Sequence, residues 1–330
     1  MAFKDIAGNS HVKKVLRIAL KKKRIPNSLL FSGPDGVGKR DMAVALAKAM
    51  NCLKKGDDAC ESCTVCRAIQ GRRFPDVLEI ESSGDVIKIE QMREVKQLAY
   101  LMPMVGKKRI FIVDDAEKMS EEAANSLLKI LEEPPLFSHI ILITQNPFLM
   151  LETIKSRCQV LNFSRISRGE IERILIERGD PEEKAKIIAL LARGNLEQAS
   201  SLNWEEVQTK REQAWQFLLS LLKKEETSRF LKSYGYSQRS VVREDLEQTL
   251  EIFSSFCRDF VLIKERGDRN LLLNPDFEEE IRRAEELLSL EQSLGCLVAV
   301  DAVLSGLSRN LNLSLLLSSF LSYFMEREYV

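Results

Sequence analysis

Residues 33–39, Gly-Pro-Asp-Gly-Val-Gly-Lys, place three glycines and a lysine within seven positions. Leu29 to Phe31 ahead of them is a short apolar run that reads as a strand. Asp41 to Met50 behind them is an alanine-rich helical pattern. Strand, glycine loop and helix in that order form the setting of a phosphate-binding loop. Gly33, Gly36 and Gly38 let backbone N–H groups turn toward phosphate oxygens. The helix N-terminus adds partial positive charge, and Lys39 reaches the outer phosphates. At the next position a Ser or Thr hydroxyl would hold Mg²⁺. Here it is Arg40, a permanent cation where a metal ligand is expected.

Asp114 and Asp115 close another apolar run, Arg109 to Val113. A carboxylate at the carboxyl end of a buried parallel strand lies beside a phosphate loop and can hold Mg²⁺. The second position suits a Glu that polarises attacking water, and Asp115 is one methylene short of that. The pair could instead cap a helix that starts near Ser120. Thr144, Gln145 and Asn146 follow the run His139 to Thr144, polar groups placed to sense a γ-phosphate; Asn146-Pro147 also reads as a plain turn.

Cys52, Cys60, Cys63 and Cys66 put four thiols within fifteen residues. Two overlapping Cys-x2-Cys pairs can wrap a small tetrahedral ion, with Cys52 returning from the preceding helix as fourth ligand. The residues between them (Lys54, Lys55, Gly56, Asp57, Asp58) are too polar for a core. Structural zinc is therefore the favoured reading, and a redox pair, which needs only two thiols, the alternative. With all four positions filled by protein, such a site is closed and not catalytic.

The elements that must position these residues follow an α/β rhythm. Residues 3–24 become an amphipathic helix, with Val12, Val15, Leu16, Ala19 and Leu20 on one face and lysines opposite. Strands are expected at 29–31, 76–81, 109–113, 139–144 and 159–163. Helices are expected at 41–50, 87–100, 121–133 and, shorter, 147–155. Most strands are unbroken apolar runs, the mark of a parallel sheet covered on both faces. Lys107, Lys108 and Arg109 read as a solvated basic loop. Short helices fill 167–203, broken at Gly179-Asp180-Pro181 and Gly194-Asn195. From Trp204 no strand pattern survives, and helices are expected at 204–232, 238–266, 276–290 and 292–325, the last broken near Asn310-Asn312. The division is an α/β domain over 1–166, a helical lid over 167–203 and an all-α domain over 204–330. Acidic and basic residues balance at 49 each among 330, so no bulk charge marks a nucleic-acid binder. No amino-terminal signal is evident, and polar residues break the apolar stretch 294–325. Seven cysteines then suit a reducing, cytoplasmic setting and no membrane contact.

Taken in order, Phe3-Lys-Asp-Ile-Ala-Gly8, the phosphate loop, the four-cysteine insert, Val113-Asp-Asp115, Ser126-Leu-Leu-Lys-Ile-Leu-Glu-Glu-Pro-Pro135 and Ser156-Arg-Cys158 resemble the bacterial clamp-loader subunits of the AAA+ class. The likeness covers 1–203 well and is greatest to the delta-prime type of DNA polymerase III, with gamma/tau the nearest relative. It implies a five-stranded AAA+ sheet with a zinc insert, a helical lid and a helical collar. It also implies a hetero-pentameric ring with gamma/tau and delta subunits that opens the sliding clamp and places it on primed DNA, within the polymerase holoenzyme. Arg157 would be an arginine finger offered in trans to the neighbour's ATP; alone, it is a basic residue favouring a helix C-terminus.

Three positions depart from the family's active motors. Arg40 replaces the hydroxyl, Asp115 replaces Glu, and in Gly194-Asn-Leu-Glu-Gln-Ala199 Glu197 stands where a phosphate-sensing arginine would be. The expectation is little hydrolysis of its own, with ATP and Mg²⁺ binding left open. The alternatives are an active gamma/tau-type ATPase and a zinc-dependent nuclease or redox protein using Cys60, Cys63 and Cys66.

Overall fold

The computed structural model describes residues 1–54, 56–82, 86–222, 240–287, 289–308 and 311–325. The chain separates into two compact units, 1–171 with 192–200 and 172–191 with the residues from 201 onward.

The first unit is built on five parallel strands: β1 (Ser28–Ser32), β2 (Val77–Ile80), β3 (Arg109–Val113), β4 (Ser138–Thr144) and β5 (Gln159–Asn162). Their spatial order is β2-β3-β4-β1-β5. The three inner strands are buried at every residue, and this is why they carry no polar alternation. Successive side chains feed opposite cores. Leu29, Phe31, Ile110, Ile112, Ile141 and Ile143 pack with α1 (Ser10–Lys21) and α2 (Lys39–Asn51). Leu30, Phe111, Val113, Ile140 and Leu142 pack with α4 (Ile89–Ala99) and α5 (Glu121–Glu132). Between α2 and β2 lies the short α3 (Thr64–Gln70). Ser120 accepts a hydrogen bond from the Ala123 N–H (3.2 Å), so it, and not the Asp114-Asp115 pair, caps α5.

Three expectations are corrected. The segment 147–155 is not one helix: a 3-10 turn (Pro147–Leu149) and a four-residue helix, α6 (Glu152–Lys155), are separated by extended backbone at Met150. The span 276–290 is likewise broken, into 3-10 turns at Pro275–Phe277 and Glu285–Leu287 flanking a helix over Glu278–Ala284. Within 107–109, Lys107 and Lys108 lie in the expected loop, but Arg109, which opens β3 as expected, is not solvated: its side chain is buried. Its Nη2 donates to Asp76 Oδ1 at 2.8 Å and its Nη1 to the Leu98 carbonyl at 3.0 Å. Charge in a triplet does not reveal which member has a buried acid to meet. Asp76 also accepts from the backbone N–H groups of Met104, Val105 and Gly106. Burial pushes its pKa up, but those donors and Arg109 outweigh burial and hold it below the usual carboxylate range.

The chain beyond β5 is helical: α7 (Arg168–Glu177), α8 (Glu182–Leu191), α9 (Leu196–Ser201), α10 (Trp204–Leu222), α11 (Ser240–Lys264), α12 (Glu278–Ala284), α13 (Leu290–Ser308) and α14 (Leu313–Met325). The expected helix stretches at 223–232 and 238–239 lie outside the described residues. In the second unit Trp215 packs against Phe256, Phe260 and Phe277. Arg211 is buried there, bidentate to Asp276 at 2.7 and 2.8 Å.

Asp76→Ala leaves Arg109 buried without its acid, and the first unit is expected to lose about 3–5 kcal/mol in denaturant unfolding at neutral pH. Because the folded-state pKa of Asp76 is depressed, its stabilisation is full above the ordinary carboxylate pKa of about 4. It is lost as pH falls through the lower folded value, so the gap between wild type and variant is expected to narrow in acid.

Candidate functional site

The phosphate loop runs from the end of β1 to the start of α2, where the strand order reverses direction, between β1 and β4. The Gly33 N–H donates to the Thr144 carbonyl (3.2 Å), which fixes the loop to β4. Gly33 must be glycine: a Cβ there would stand 2.3 Å from the Phe163 carbonyl oxygen. Gly36 has φ +63°, and a Cβ on it would meet the Asn195 side-chain oxygen at 1.7 Å. Asn195 caps α9 by accepting from the Gln198 N–H, and the Leu196 N–H donates to the Gly36 carbonyl (3.0 Å). The segment ahead of α9 therefore lies directly on the loop, with Glu197 exposed.

Lys39 Nζ donates to the Gly33 and Pro34 carbonyls at 2.7 and 2.5 Å. Burial lowers its pKa, while Asp35, Asp114, Glu117 and Asp115 pull the other way. Its ammonium thus stands beside the loop, within a ring of carboxylates.

Arg40 turns away from the loop toward β2. Its Nη2 lies 2.6 Å from Glu79 Oε2 and 2.5 Å from Glu81 Oε1, and its Nε is 3.9 Å from Asp114 Oδ2. Arg72 reaches the same two glutamates at 3.5 and 3.3 Å. The Arg40 guanidinium fork is thus held by two carboxylates on the β2 side. Sequence reasoning missed Glu79 and Glu81. Their spacing of two, which puts both on one face of an extended segment, was the available signal.

Asp114 follows β3 and accepts from the Asp115 N–H (3.1 Å); burial, then the neighbouring Asp115, raises its pKa. Asp115 has φ +48° and its carboxylate bonds Lys118 at 2.8 Å. Thr144 is buried, and its hydroxyl accepts from the Asn146 N–H (3.1 Å). Asn146 caps the turn over Pro147–Leu149 through Phe148 N–H, so its turn role is real. Glu117, also missed, accepts from the Gln145 N–H (3.2 Å), and nothing in the sequence pattern marks it. Gly33, Gly36, Gly38, Lys39, Asp114 and Thr144 are thus assembled around one loop. Arg157 lies apart, at the end of α6. Its Nε donates to Glu132 Oε1 (2.6 Å) and its Nη1 to the Thr153 carbonyl (2.9 Å), and the side chain is 32% exposed.

The four cysteines converge. The sulfurs of Cys52, Cys60, Cys63 and Cys66 all lie within 4.8 Å of one another, and none is in a disulfide. Four thiolates about 2.3 Å from a tetrahedral ion stand about 3.8 Å apart, so a small contraction closes the set on a metal. The Cys63 N–H donates to Cys60 Sγ and the Cys66 N–H to Cys63 Sγ, both at 3.4 Å, donors that favour thiolate. The Ser62 hydroxyl draws the Cys60 pKa down to about 5, whereas burial pushes Cys66 up to about 12. A divalent ion would supply the charge that deprotonates the buried pair. The surround is rigid: wholly buried Lys48 bonds Glu61 at 3.1 Å, and Asp58 accepts from the Phe3 and Lys4 N–H groups.

A phosphate loop after β1, an acidic pair after β3 and a polar residue ending β4, on a parallel sheet ordered β2-β3-β4-β1-β5, define an AAA+-type P-loop domain. Residues 8–167 match the protein family described as DNA polymerase III, delta subunit. The delta-prime subunit of DNA polymerase III from Bacillus subtilis is 37% identical over 178 residues, 54% of this chain and 54% of that protein. The tau subunit of the same organism is 35% identical over 211 residues, 61% of this chain and 37% of that protein. The tau/gamma subunit of Haemophilus influenzae is 33% identical over 208 residues, 61% and 30% of the two. The match thus spans about half, or less, of these relatives' lengths. A solved gamma subunit-related protein of Thermotoga maritima overlays with a TM-score of 0.42 at 22% identity, covering 96% of this chain and 99% of that one. The strand order, not this overlay, defines the fold. Over the matched residues the chain is thus similar to the delta-prime and tau/gamma subunits of DNA polymerase III.

Metal analysis of the purified protein is expected to give one zinc per chain, with four sulfurs at the metal by X-ray absorption. Cys63→Ser removes a ligand outright and is expected to cost more than the 10- to 100-fold in affinity typical of losing only a ligand's supporting contact, roughly. Metal retained in full by the variant would remove the cluster from consideration.

Proposed function

We propose that this chain is a delta-prime-type member of the DNA polymerase III clamp loader, largely without hydrolysis of its own. It would sit in a hetero-pentameric ring with gamma/tau and delta subunits and offer Arg157 to the ATP of its neighbour. The ring would open the sliding clamp and leave it on primed DNA in the bacterial cytoplasm. The three-part division into 1–166, 167–203 and 204–330 belongs to this reading, with the last part as the ring-forming collar and the cysteine cluster as a structural zinc module.

The observation that carries the reading is the commitment of Arg40 to Glu79 and Glu81. No hydroxyl follows Lys39 to bind Mg²⁺, and the carboxylate placed to orient water, Asp115, is bonded to Lys118. The backbone of Gly33, Gly36 and Gly38 with Lys39 still makes an anion cradle, so nucleotide binding is compatible with lost turnover. Arg157 fits the role of donor in trans: it is partly exposed at a helix end, with its guanidinium held by Glu132 and the Thr153 carbonyl. A phosphoryl group with growing charge would displace that carboxylate, because a guanidinium fork pairs well with phosphate oxygens. A second reading, an active gamma/tau-type ATPase, draws on the similar tau sequences and predicts hydrolysis by the isolated chain that falls on Lys39→Ala.

The isolated chain is expected to show no magnesium-dependent ATP turnover above background. In a reconstituted ring with motor subunit, delta subunit, clamp and primed DNA, Arg157→Ala is expected to slow hydrolysis at the adjoining ATP site by about 10³-fold or more. Equal single-turnover rates for wild type and variant would refute the finger.

A further inference from the structure

Charge is unevenly spread along this neutral chain. Residues 1–24 hold eight lysines and arginines against one acid, Asp5. The fold concentrates several of them on a groove of about 420 Å³ between the first turn (Phe3–Asp5), the outer face of α1 and the loop ahead of the cysteine cluster. Lys4, Lys13, Lys14, Arg17 and Lys21 line it over a floor that includes Phe3 and Ile18, together with Ser10 from the first turn of α1 and a single acid, Asp57.

The fold uses only part of this charge. Arg17 bonds Asp58 at 3.0 Å, Lys21 bonds Asp57 at 3.2 Å, and Lys13 donates to the Ile6 carbonyl at 2.9 Å. Lys4 and Lys14 have no ion pair among the described residues. Arg17 Nε is buried from solvent without a hydrogen-bond acceptor, although Asp57 is 3.9 Å away. No side chain caps the N-terminus of α1, since the Asn9 Oδ1 that could accept from its first turn accepts instead from the Ser164 N–H at 2.8 Å. Cations, an orphaned donor and an uncapped twelve-residue helix therefore meet at one open groove.

We propose that this groove binds the phosphodiester backbone of a DNA strand. Lys14, Arg17 and Lys21 recur along α1 at intervals of three and four residues, each about 5–6 Å up one face. That spacing suits successive phosphates of a single strand, which an isolated anion would not need. The groove carries no exposed aromatic platform for bases, so contact is with the backbone and independent of sequence. This surface is separate from the phosphate loop and from Arg157 and does not rest on the role proposed for either.

The test is fluorescence anisotropy of the full chain with a labelled single-stranded oligonucleotide, without nucleotide, across a potassium chloride series. Lys4→Ala/Lys14→Ala removes two cations that hold nothing else in place. The double variant is expected to bind roughly tenfold or more weakly at low salt. Its slope of log K against log salt is expected to fall by about 1.4, which is two single-strand phosphate contacts. Lys210→Ala, a control in the second unit, should change neither value. No binding by wild type, an unchanged slope in the double variant, or binding to anionic phospholipid vesicles without binding to the oligonucleotide would each overturn the proposal. ATP-site measurements with Arg157→Ala are independent of all three outcomes.

Discussion

A guanidinium carries a fixed positive charge, so carboxylates accompany that of Arg40 beside the phosphate loop. Glu79 and Glu81 do so, and the result ties the first turn of α2 to β2 and the residue just after it. Arg72 joins from the far side, and Asp114 stands at the margin. The loop geometry, set by the glycines and by Thr144, is that of a cradle for phosphate. Beside it the charge network commits Arg40 to Glu79 and Glu81.

The same logic of paired charge governs the supports. Asp76 and Arg109 are buried together, and the three N–H groups of Met104, Val105 and Gly106 complete the carboxylate's coordination. Lys48 is enclosed with Glu61, which anchors the cysteine module to α2. Asp58 binds the backbone of the first residues and Arg17. Each pair joins segments distant in the chain, and each would be costly with one partner missing. The parallel sheet is held by apolar burial on both faces, whereas these ion pairs set how its loops and inserts attach.

Much of the site was legible because phosphate loops and metal knuckles are local. Gly33 to Lys39 and Cys60 to Cys66 each fall within a few turns of chain, so spacing alone limits their geometry. Strands without alternation announced a sheet covered on both faces, and Ser120 and Pro134-Pro135 marked the ends of α5. What sequence reading got wrong was non-local. Arg109 lay in a basic triplet, but its partner is 33 residues earlier. Glu79 and Glu81 find Arg40 some forty residues away. Asn195 meets Gly36 only because the chain returns after α8, and no periodicity encodes that return.

By itself, then, the sequence determined the class of loop, the four thiols, the order of strands and helices along the chain, and the missing hydroxyl after Lys39. These depend on residue type and short spacing, which backbone stereochemistry converts directly into shape. Only the tertiary structure decided where the surplus charges go: Arg40 to β2, Arg109 to Asp76, Asp115 to Lys118, and Lys4 and Lys14 to an open groove. An ion pair is a fact about distance in space, and distance between remote residues is fixed only once the sheet has closed and its helices have packed.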